Sequence, residues 1–290
     1  MAFLKRNLFI FFVALILSAC TAPKNYKVIS GAVHNTGSDS MFPVTATILY
    51  TEDQAMLIDT QFTNKEAQQI VEEIKKSGKP LTLIYISHGD PDFYFGLDTV
   101  LNAYPNAHVI ATSATVEKIR REGIGKLKYW RKYIGDQAPK RIVIPTALTS
   151  NTFNFGQDSF IVKGDDPNRT YLWMPKQRMI IGGSLLSNNM FIWTADARTS
   201  EQRMLWDKTV LEMRNLSPRI TIPGHYLGND PVANESIEFT HQYINTYDEV
   251  LKSNHSIYDI VRKMKEHYPQ LGGDLNLEVS TTIILNNANF

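Results

Sequence analysis

Short apolar runs alternate with amphipathic stretches along most of the chain after residue 40. Residues 81–87 (LTLIYIS) are a nearly continuous apolar run of strand length, which is typical of a buried strand. Residues 64–77 instead repeat apolar side chains every three or four positions, which predicts a helix with Asn64 as its N-cap and residues 78–80 (GKP) as its end. The apolar positions of this helix are Ala67, Ile70, Val71 and Ile74.

The same alternation continues through the chain and indicates a single α/β domain, because no stretch has the composition of a flexible linker. Further strands are predicted at 43–50, 55–59, 107–112, 141–145, 151–155, 158–163, 170–174 and 178–182, and within 219–225. Further helices are predicted at 97–103, 113–122, 200–215, 232–252 and 256–267. The final residues, 278–290, are interpreted as either a last strand or a packed tail.

Composition adds two limits to this picture. The chain has 290 residues, of which 43% are hydrophobic and 20% charged, so it can bury a sizeable core. Its 30 basic and 29 acidic residues leave a net charge of +1. A nucleic-acid-binding protein that depends on a strong basic field is therefore not expected.

The amino terminus has the pattern of a targeting segment. Lys5 and Arg6 precede ten consecutive apolar residues at 8–17, a run that suits a signal-peptide core. The run ends in Leu17-Ser18-Ala19-Cys20, which resembles a bacterial lipoprotein box; the alternative is an ordinary signal peptide with an incidental cysteine.

The lipoprotein interpretation divides the chain into a signal peptide (1–19), a tether and first-strand region (20–39) and a folded domain (40–290). It implies a lipid anchor at Cys20 in a bacterial cell envelope, and Thr21 favours the outer membrane, facing the periplasm. Cys20 is the only cysteine, so a protein acylated there has no disulfide and no thiolate metal ligand.

The loop that follows residues 81–87 carries most of the candidate chemistry. His88, Asp90 and Asp92 alternate along it, and imidazole and carboxylate are good ligands for Zn, Mn or Fe. Loops at the carboxyl ends of strands are also where α/β proteins place their sites. The alternative is that Asp90 or Asp92 caps a helix that starts near Phe93, with Pro91 at an early position.

Here the chain resembles the metallo-β-lactamase-fold hydrolases, whose corresponding loop reads His-x-His-x-Asp-His with a later Gly. This chain has His88-x-Asp90-x-Asp92-Phe93, followed by Gly96. Four further motifs resemble those of the family and come in the same order, namely Leu57-Ile58-Asp59, Gly164-Asp165, Gly183-Ser184 and Pro223-Gly224-His225.

The resemblance implies an αββα sandwich of the metallo-β-lactamase type, with its site at the edge of two sheets. It also implies a metal site from His88, Asp90 and Asp165, with Asp92 and His225 nearby. Phe93 and Ser184 stand where the family has ligands, so one ion is expected rather than two. A divalent cation would relieve the repulsion among the clustered carboxylates, and a lysine such as Lys163 or loop amides would do the same.

The function implied is hydrolysis of an ester, lactone, amide or phosphoester in a small-molecule substrate. The metal would supply hydroxide from bound water, and Asp92 would orient that water or accept its proton. Phe191, Trp193 and Tyr226 are candidates for an apolar substrate wall, although core packing is the commoner role of such residues. The alternative function is a catalytically decayed envelope protein that binds a ligand or partner in the same cleft; the oligomeric state stays open.

Overall fold

The computed structural model of the protein describes residues 26–30, 42–229 and 234–287. Residues 1–19 and Cys20 lie outside this part of the chain. Its strands are β1 (Tyr26–Ser30), β2 (Thr45–Tyr50), β3 (Ala55–Ile58), β4 (Leu81–Ile86), β5 (His108–Ala111), β6 (Thr146–Ala147), β7 (Thr152–Phe155), β8 (Asp158–Lys163), β9 (Tyr171–Met174), β10 (Met179–Ile181), β11 (Ser187–Asn188), β12 (Ile220–Ile222) and β13 (His225–Tyr226). Its helices are α1 (Asn64–Ser77), α2 (Pro91–Tyr94), α3 (Leu97–Ala103), α4 (Ser113–Ile134), α5 (Ser200–Asn215), α6 (Glu235–Ser253), α7 (Ile257–His267) and α8 (Asp274–Asn286).

The strands form two main sheets. The first has the order β1-β2-β3-β4-β5-β6, antiparallel across β1, β2 and β3 and parallel from β3 onward. The connection from β2 to β3 is a short turn closed by Thr51 N donating to Gln54 O, 2.9 Å, so those strands can run antiparallel. The connections from β3 to β6 contain helices, as parallel pairing requires. The second sheet has the order β12-β10-β9-β8-β7.

The protein has three layers of buried apolar side chains, which pack the two sheets against each other and against the helices. One layer lies between the first sheet and α1, α3 and α4, and another lies between the second sheet and α5 to α8. The third layer joins the inner faces of the sheets, where Met56, Tyr85, Phe160 and Leu172 are at most 1% exposed. This order of layers is the predicted αββα sandwich.

A few elements differ from the sequence predictions. Thr63, not Asn64, caps α1, because its side chain accepts from Glu66 N while Glu66 accepts from Thr63 N. Helix α4 continues past residue 122 to Ile134, since Gly123 and Leu127 extend its buried stripe.

Two further segments differ from the secondary structure predicted for them. Residues 141–145 form no strand; the sixth strand of the first sheet is the two-residue β6. Most of the final segment is helix α8 despite its β-branched run, because Leu277, Ser280, Thr281 and Ile283 are buried along one side of it. Burial against neighbouring elements outweighs the intrinsic preference of such residues for strands.

Among the helices that the structure describes, none combines the length and the apolar character needed to span a bilayer.

Candidate active site

The segment between β4 and the end of α2 (residues 87–94, called the β4–α2 segment) begins at a buried carboxyl group. Asp59 accepts hydrogen bonds from Ser87 N (2.8 Å) and Ser87 Oγ (2.7 Å), and its backbone has φ 61°. Burial raises the pKa of Asp59 to about 8, although both Ser87 hydrogen bonds oppose this rise. Asp59 therefore fixes the point at which the chain leaves β4.

The three polar residues predicted in this segment lie together but have different partners. His88 is 2% exposed, and burial lowers its pKa to about 3, so the imidazole is neutral. Its Nδ1 lies 3.4 Å from Asp90 Oδ2 and has no hydrogen-bond partner among the described residues. Asp90 occupies the N-cap position of α2 without making a side-chain cap hydrogen bond, so capping does not explain it.

The Asp90 carboxylate binds two lysines of α4 instead. Lys118 Nζ lies 3.1 Å from Asp90 Oδ1, and Lys126 Nζ contacts the same oxygen. Lys126 also lies 3.2 Å from Glu122. Burial works to raise the pKa of Asp90, but the ammonium groups of Lys118 and Lys126 hold it well below its usual range. Lysines thus neutralise this carboxylate, as the sequence argument allowed, although they are not Lys163.

Asp92 pairs with the histidine that follows β12. His225 Nε2 lies 2.9 Å from Asp92 Oδ2, and both side chains are mostly buried. A carboxylate only accepts, so Nε2 carries the proton and, in the neutral ring, Nδ1 holds the lone pair. His225 is held in place because Gly224 N donates to Gly183 O (3.1 Å) and Leu186 O (3.0 Å). A Cβ at Gly224 would lie 2.2 Å from Gly183 O, so this approach requires glycine.

Phe93 contacts both histidine rings of the site. Its ring centroid lies 5.3 Å from that of His88 and 5.3 Å from that of His225, in edge-to-face arrangements. Phe93 is 1% exposed. An apolar ring therefore occupies the space between the two imidazoles.

The loop between β8 and β9 (residues 164–170, called the β8–β9 loop) does not place Asp165 in the site. Asp165 is exposed, and its carboxylate accepts from Lys208 Nζ of α5 at 2.7 Å. Arg169 points inward from the same loop and is 7% exposed. The family resemblance therefore indicated the correct loop but not the correct residue. The β8–β9 loop places Arg169, and not Asp165, in the site.

The other predicted residues are divided between the site and the core. Ser184 lines the site, and its Oγ is buried without a hydrogen-bond partner among the described residues. Trp193 also lines it, and its Nε1 donates to Asp196 Oδ2 at 3.0 Å. Phe191 and Tyr226 are 1% and 2% exposed and belong to the interior, so they form no substrate wall.

These residues surround a cleft of about 590 Å³. Its charged and polar lining consists of Asp90, Asp92, Lys118, Glu122, Lys126, Arg169, Ser184, Ser187, Asp196, Arg198, His225 and Asn276. Its apolar and aromatic lining includes Phe42, Phe62, Tyr129, Trp130, Met190, Ile192, Trp193, Leu275 and Val279. A cleft of this size, lined by both apolar and charged side chains, suits an amphipathic small molecule.

Four further basic residues line the cleft that were not predicted from the sequence, namely Lys118, Lys126, Arg169 and Arg198. A signal for the lysines was present, because Lys118, Glu122 and Lys126 repeat every four residues along one side of α4. That signal is lost if the helix ends near residue 122. Arg169 and Arg198 lie in loops, where no periodicity shows which side chains turn inward.

The donors as placed do not fit a metal ion. Within the described ranges, no group of three or more His, Cys, Asp and Glu side chains is arranged to hold one. Asp90 is engaged by two lysines, Phe93 separates the histidines and Asp165 is paired with Lys208. The ligand set predicted from His88, Asp90, Asp165, Asp92 and His225 is therefore not assembled.

Comparison with known proteins agrees with this architecture. The family model of the metallo-beta-lactamase superfamily matches residues 40–225. This is more than half of the chain, and the protein belongs to that superfamily.

Individual relatives are distant. The metallo-beta-lactamase type 2 of Bacillus sp. (strain 170) is 23% identical over 188 residues, 63% of this chain and 66% of the relative, which is slightly under two thirds of its length. That of Bacillus cereus is 23% identical over 65% of this chain and 69% of the relative.

Solved structures share the fold at lower identity. A metallo-beta-lactamase from Pontibacter korlensis superposes with a TM-score of 0.55 at 18% identity, covering 75% of this chain and 93% of that chain. The metallo-beta-lactamase FIM-1 from Pseudomonas aeruginosa, in its mono-zinc form, gives a TM-score of 0.53 at 17% identity, covering 76% of this chain and 90% of that chain.

Proposed function

We propose that the protein is a hydrolase that activates water with the His225–Asp92 pair and acts on an ester or lactone of an amphipathic small molecule. The observation that carries this proposal is the 2.9 Å hydrogen bond between His225 Nε2 and Asp92 Oδ2 in the wall of the cleft. A histidine oriented by a carboxylate is a common general base. The hydrolases of the superfamily support hydrolysis as the reaction class. The cleft of about 590 Å³ is large enough for a small-molecule substrate.

In this mechanism Asp92 accepts the hydrogen bond from Nε2 and leaves Nδ1 of His225 to take a proton from water. The Asp92 charge then stabilises the imidazolium that forms. Lys118 and Lys126 line the same cleft, and the ammonium N–H groups that they do not donate to Asp90 or Glu122 are hydrogen-bond donors for the substrate oxygen on which negative charge develops. The proton on His225 passes to the leaving alkoxide and restores the base.

Metal-dependent hydrolysis, which the resemblance implies, requires a different arrangement of these side chains. Zinc, where it serves such enzymes, lowers the pKa of bound water and polarises the scissile carbonyl. In this chain Asp90 and Asp165 are engaged by lysines and Phe93 lies between the histidines, so we assign the base to His225 and no role to a metal.

The test is kinetic, with matched aspartate variants. Across a panel of aryl esters, lactones, β-lactams, amides and phosphodiesters, Asp92→Asn should lower kcat by about a hundredfold or more, because the amide cannot stabilise the imidazolium. Asp165→Asn, on the exposed loop, should leave kcat unchanged. Activity should persist after treatment with a chelator.

The opposite result is equally clear. Asp165→Asn and the chelator could instead abolish activity while Asp92→Asn behaves as wild type. The His225–Asp92 pair would then not be the base, and hydrolysis would depend on a metal.

A second candidate function is ligand binding without catalysis. It is favoured by the predominance of apolar and aromatic groups around the cleft and by the pairing of Asp90 with lysines. Binding of an amphipathic probe, together with no turnover on any member of the panel, would select it over hydrolysis.

We also propose that Cys20 anchors the protein by lipid in a bacterial cell envelope, at the outer membrane facing the periplasm. The support is the Leu17-Ser18-Ala19-Cys20 sequence after an apolar run. Radiolabelled palmitate should enter the wild type in cells but not Cys20→Ala. Equal labelling of the two would contradict the anchor.

A further inference from the structure

Arg169 is a buried cation that faces the cleft, and no carboxylate among the described residues pairs with it. It is 7% exposed and belongs to the cleft wall. Throughout the described part of the chain, no carboxylate forms an ion pair with its guanidinium and no acceptor takes a hydrogen bond from it. Burial lowers the pKa of Arg169, against a distant attraction from Asp196, Asp166 and Asp90. A guanidinium has five N–H donors, and none of those of Arg169 is among the buried polar atoms that lack a partner, so they face the open cleft and are available to a ligand.

The same chain shows how a buried arginine is satisfied when its role is structural. Arg203 is 5% exposed, and its Nε and Nη2 donate to Asp248 Oδ1 at 2.9 and 2.7 Å. Its Nη1 donates to the carbonyl oxygens of Ala197 and Arg198 at 2.9 and 3.0 Å. Within the described ranges Arg169 has no such set of acceptors, so ion pairing and hydrogen bonding do not explain its burial.

Arg169 is nevertheless held in one place. Its guanidinium carbon lies 3.7 Å from the ring centroid of Trp206, in a cation–π contact. The ring is fixed in turn, because Trp206 Nε1 donates to Leu185 O at 2.8 Å. A guanidinium stacked on an immobile ring keeps its donor edge free and loses little side-chain entropy when it binds an anion.

We infer that Arg169 binds the carboxylate of an amphipathic ligand whose apolar part lies against the aromatic wall of the cleft. A planar carboxylate matches the two parallel donors of a guanidinium. A phosphate dianion suits the site less well, because Asp90, Asp92 and Asp196 line the same cleft. The inference rests on the proposed function only in taking this cleft as the substrate site, and it adds the group that the substrate carries.

Calorimetric titration of the detergent-solubilised full-length protein tests the ligand class. The probes are 4-phenylbutyrate, the uncharged 4-phenylbutanol and 4-phenylbutyl phosphate. The carboxylate should bind wild type at least about tenfold more tightly than the alcohol, and Arg169→Met should remove that difference. Arg214→Met is the matched control, because Arg214 is exposed at the end of α5, outside the cleft lining, and lies 3.6 Å from Glu238; it should bind like wild type.

Three results would overturn the inference. They are equal binding of carboxylate and alcohol by wild type, unchanged carboxylate binding in Arg169→Met, and a preference for the phosphate. Because 4-phenylbutyrate has no bond to hydrolyse, it can bind where hydrolysis fails, and hydrolysis can occur where it does not bind. The failure of this inference is thus distinct from failure of the proposed function.

Thermal unfolding tests whether Arg169 has a structural role instead. Removing an unpaired buried charge should raise the melting temperature or leave it unchanged in Arg169→Met, whereas Arg203→Met strands Asp248 and should lower it. The carboxylate probe should raise the melting temperature of wild type and not that of Arg169→Met. A lower melting temperature for Arg169→Met with no effect of the probe on wild type would make Arg169 structural.

Discussion

The β4–α2 segment and the β8–β9 loop both follow strands whose ends lie near the cleft. They differ in whether the residues predicted from the sequence are the ones that enter the cleft. In the first, His88 lies beside Asp90, and Asp90 and Asp92 bind side chains of other elements rather than a common ion. In the second, the predicted Asp165 turns outward to Lys208, and Arg169 enters the cleft instead.

The difference comes from how each segment is held. The β4–α2 segment is fixed at its start by Asp59 and at its end by Gly96, whose N–H donates to Gln61 O at 3.0 Å. The β8–β9 loop contains Gly164 with φ 124°, a conformation that side chains rarely adopt. A sequence motif thus predicts the direction of its side chains well where buried contacts fix both ends of the segment. It predicts that direction poorly where a glycine with positive φ turns the backbone.

The largest effect should come from breaking the fixed end of the β4–α2 segment. A Cβ at Gly96 would lie 1.9 Å from Thr60 O, a backbone atom. Gly96→Ala should therefore destabilise the fold by about 3 kcal/mol or more in urea unfolding. Gly125→Ala is the control, since nothing lies within 4 Å of its added Cβ in α4, and it should be neutral or stabilising. Equal stability of the two variants would contradict this account.

The second prediction asks which of the two segments blocks metal binding. Phe93→His would place a third imidazole against His88 and His225, so zinc affinity measured by calorimetry should rise at least about tenfold. Asp165→His adds the same group to the exposed loop and should not raise zinc affinity. A rise for Asp165→His alone would mean that the β8–β9 loop turns inward in solution.

The third prediction concerns the Asp59 contact and its pH dependence. The pKa of Asp59 is raised from 3.8 to about 8 in the folded protein. The folded state therefore holds this proton more tightly than the unfolded chain, so the contribution favours folding at low pH and declines as pH rises through that interval. Asp59→Asn cannot ionise and should flatten the fall in unfolding free energy between about pH 5 and 8.

The control for Asp59→Asn is the exposed Asp136→Asn, which should keep the slope of wild type. An unchanged slope in Asp59→Asn would show that Asp59 is ionised in the folded protein across this range.

The smallest effect should come from the contact that turns Asp165 outward. Lys208→Met removes its exposed ion pair, and such pairs contribute little to stability. Both the unfolding midpoint and the hydrolytic rate should stay within error of wild type. A marked loss of activity would show that this pair positions Arg169.

The sequence was sufficient to predict the fold. It also indicated two segments that border the candidate site, the β4–α2 segment and the residues around His225. Apolar periodicity located α1 at residues 64–77 and α5 at about residues 200–215, although the cap of α1 is Thr63 and not the predicted Asn64. Local pattern did not predict α8, whose β-branched residues are helical only because neighbouring elements bury them. It also could not show that α4 reaches Asp90, since a contact between residues 36 positions apart depends on how the layers pack.

The tryptophans give the cleft a natural optical probe. Of the four in the chain, Trp130 and Trp193 line the cleft and Trp206 lies beneath the Arg169 guanidinium, while Trp173 belongs to the second sheet. Indole emission depends on the polarity and charge around the ring, so three of the four tryptophans lie where a bound ligand displaces water or neutralises the charge beside the ring. Occupation of the cleft should therefore change the intrinsic fluorescence spectrum without any added label.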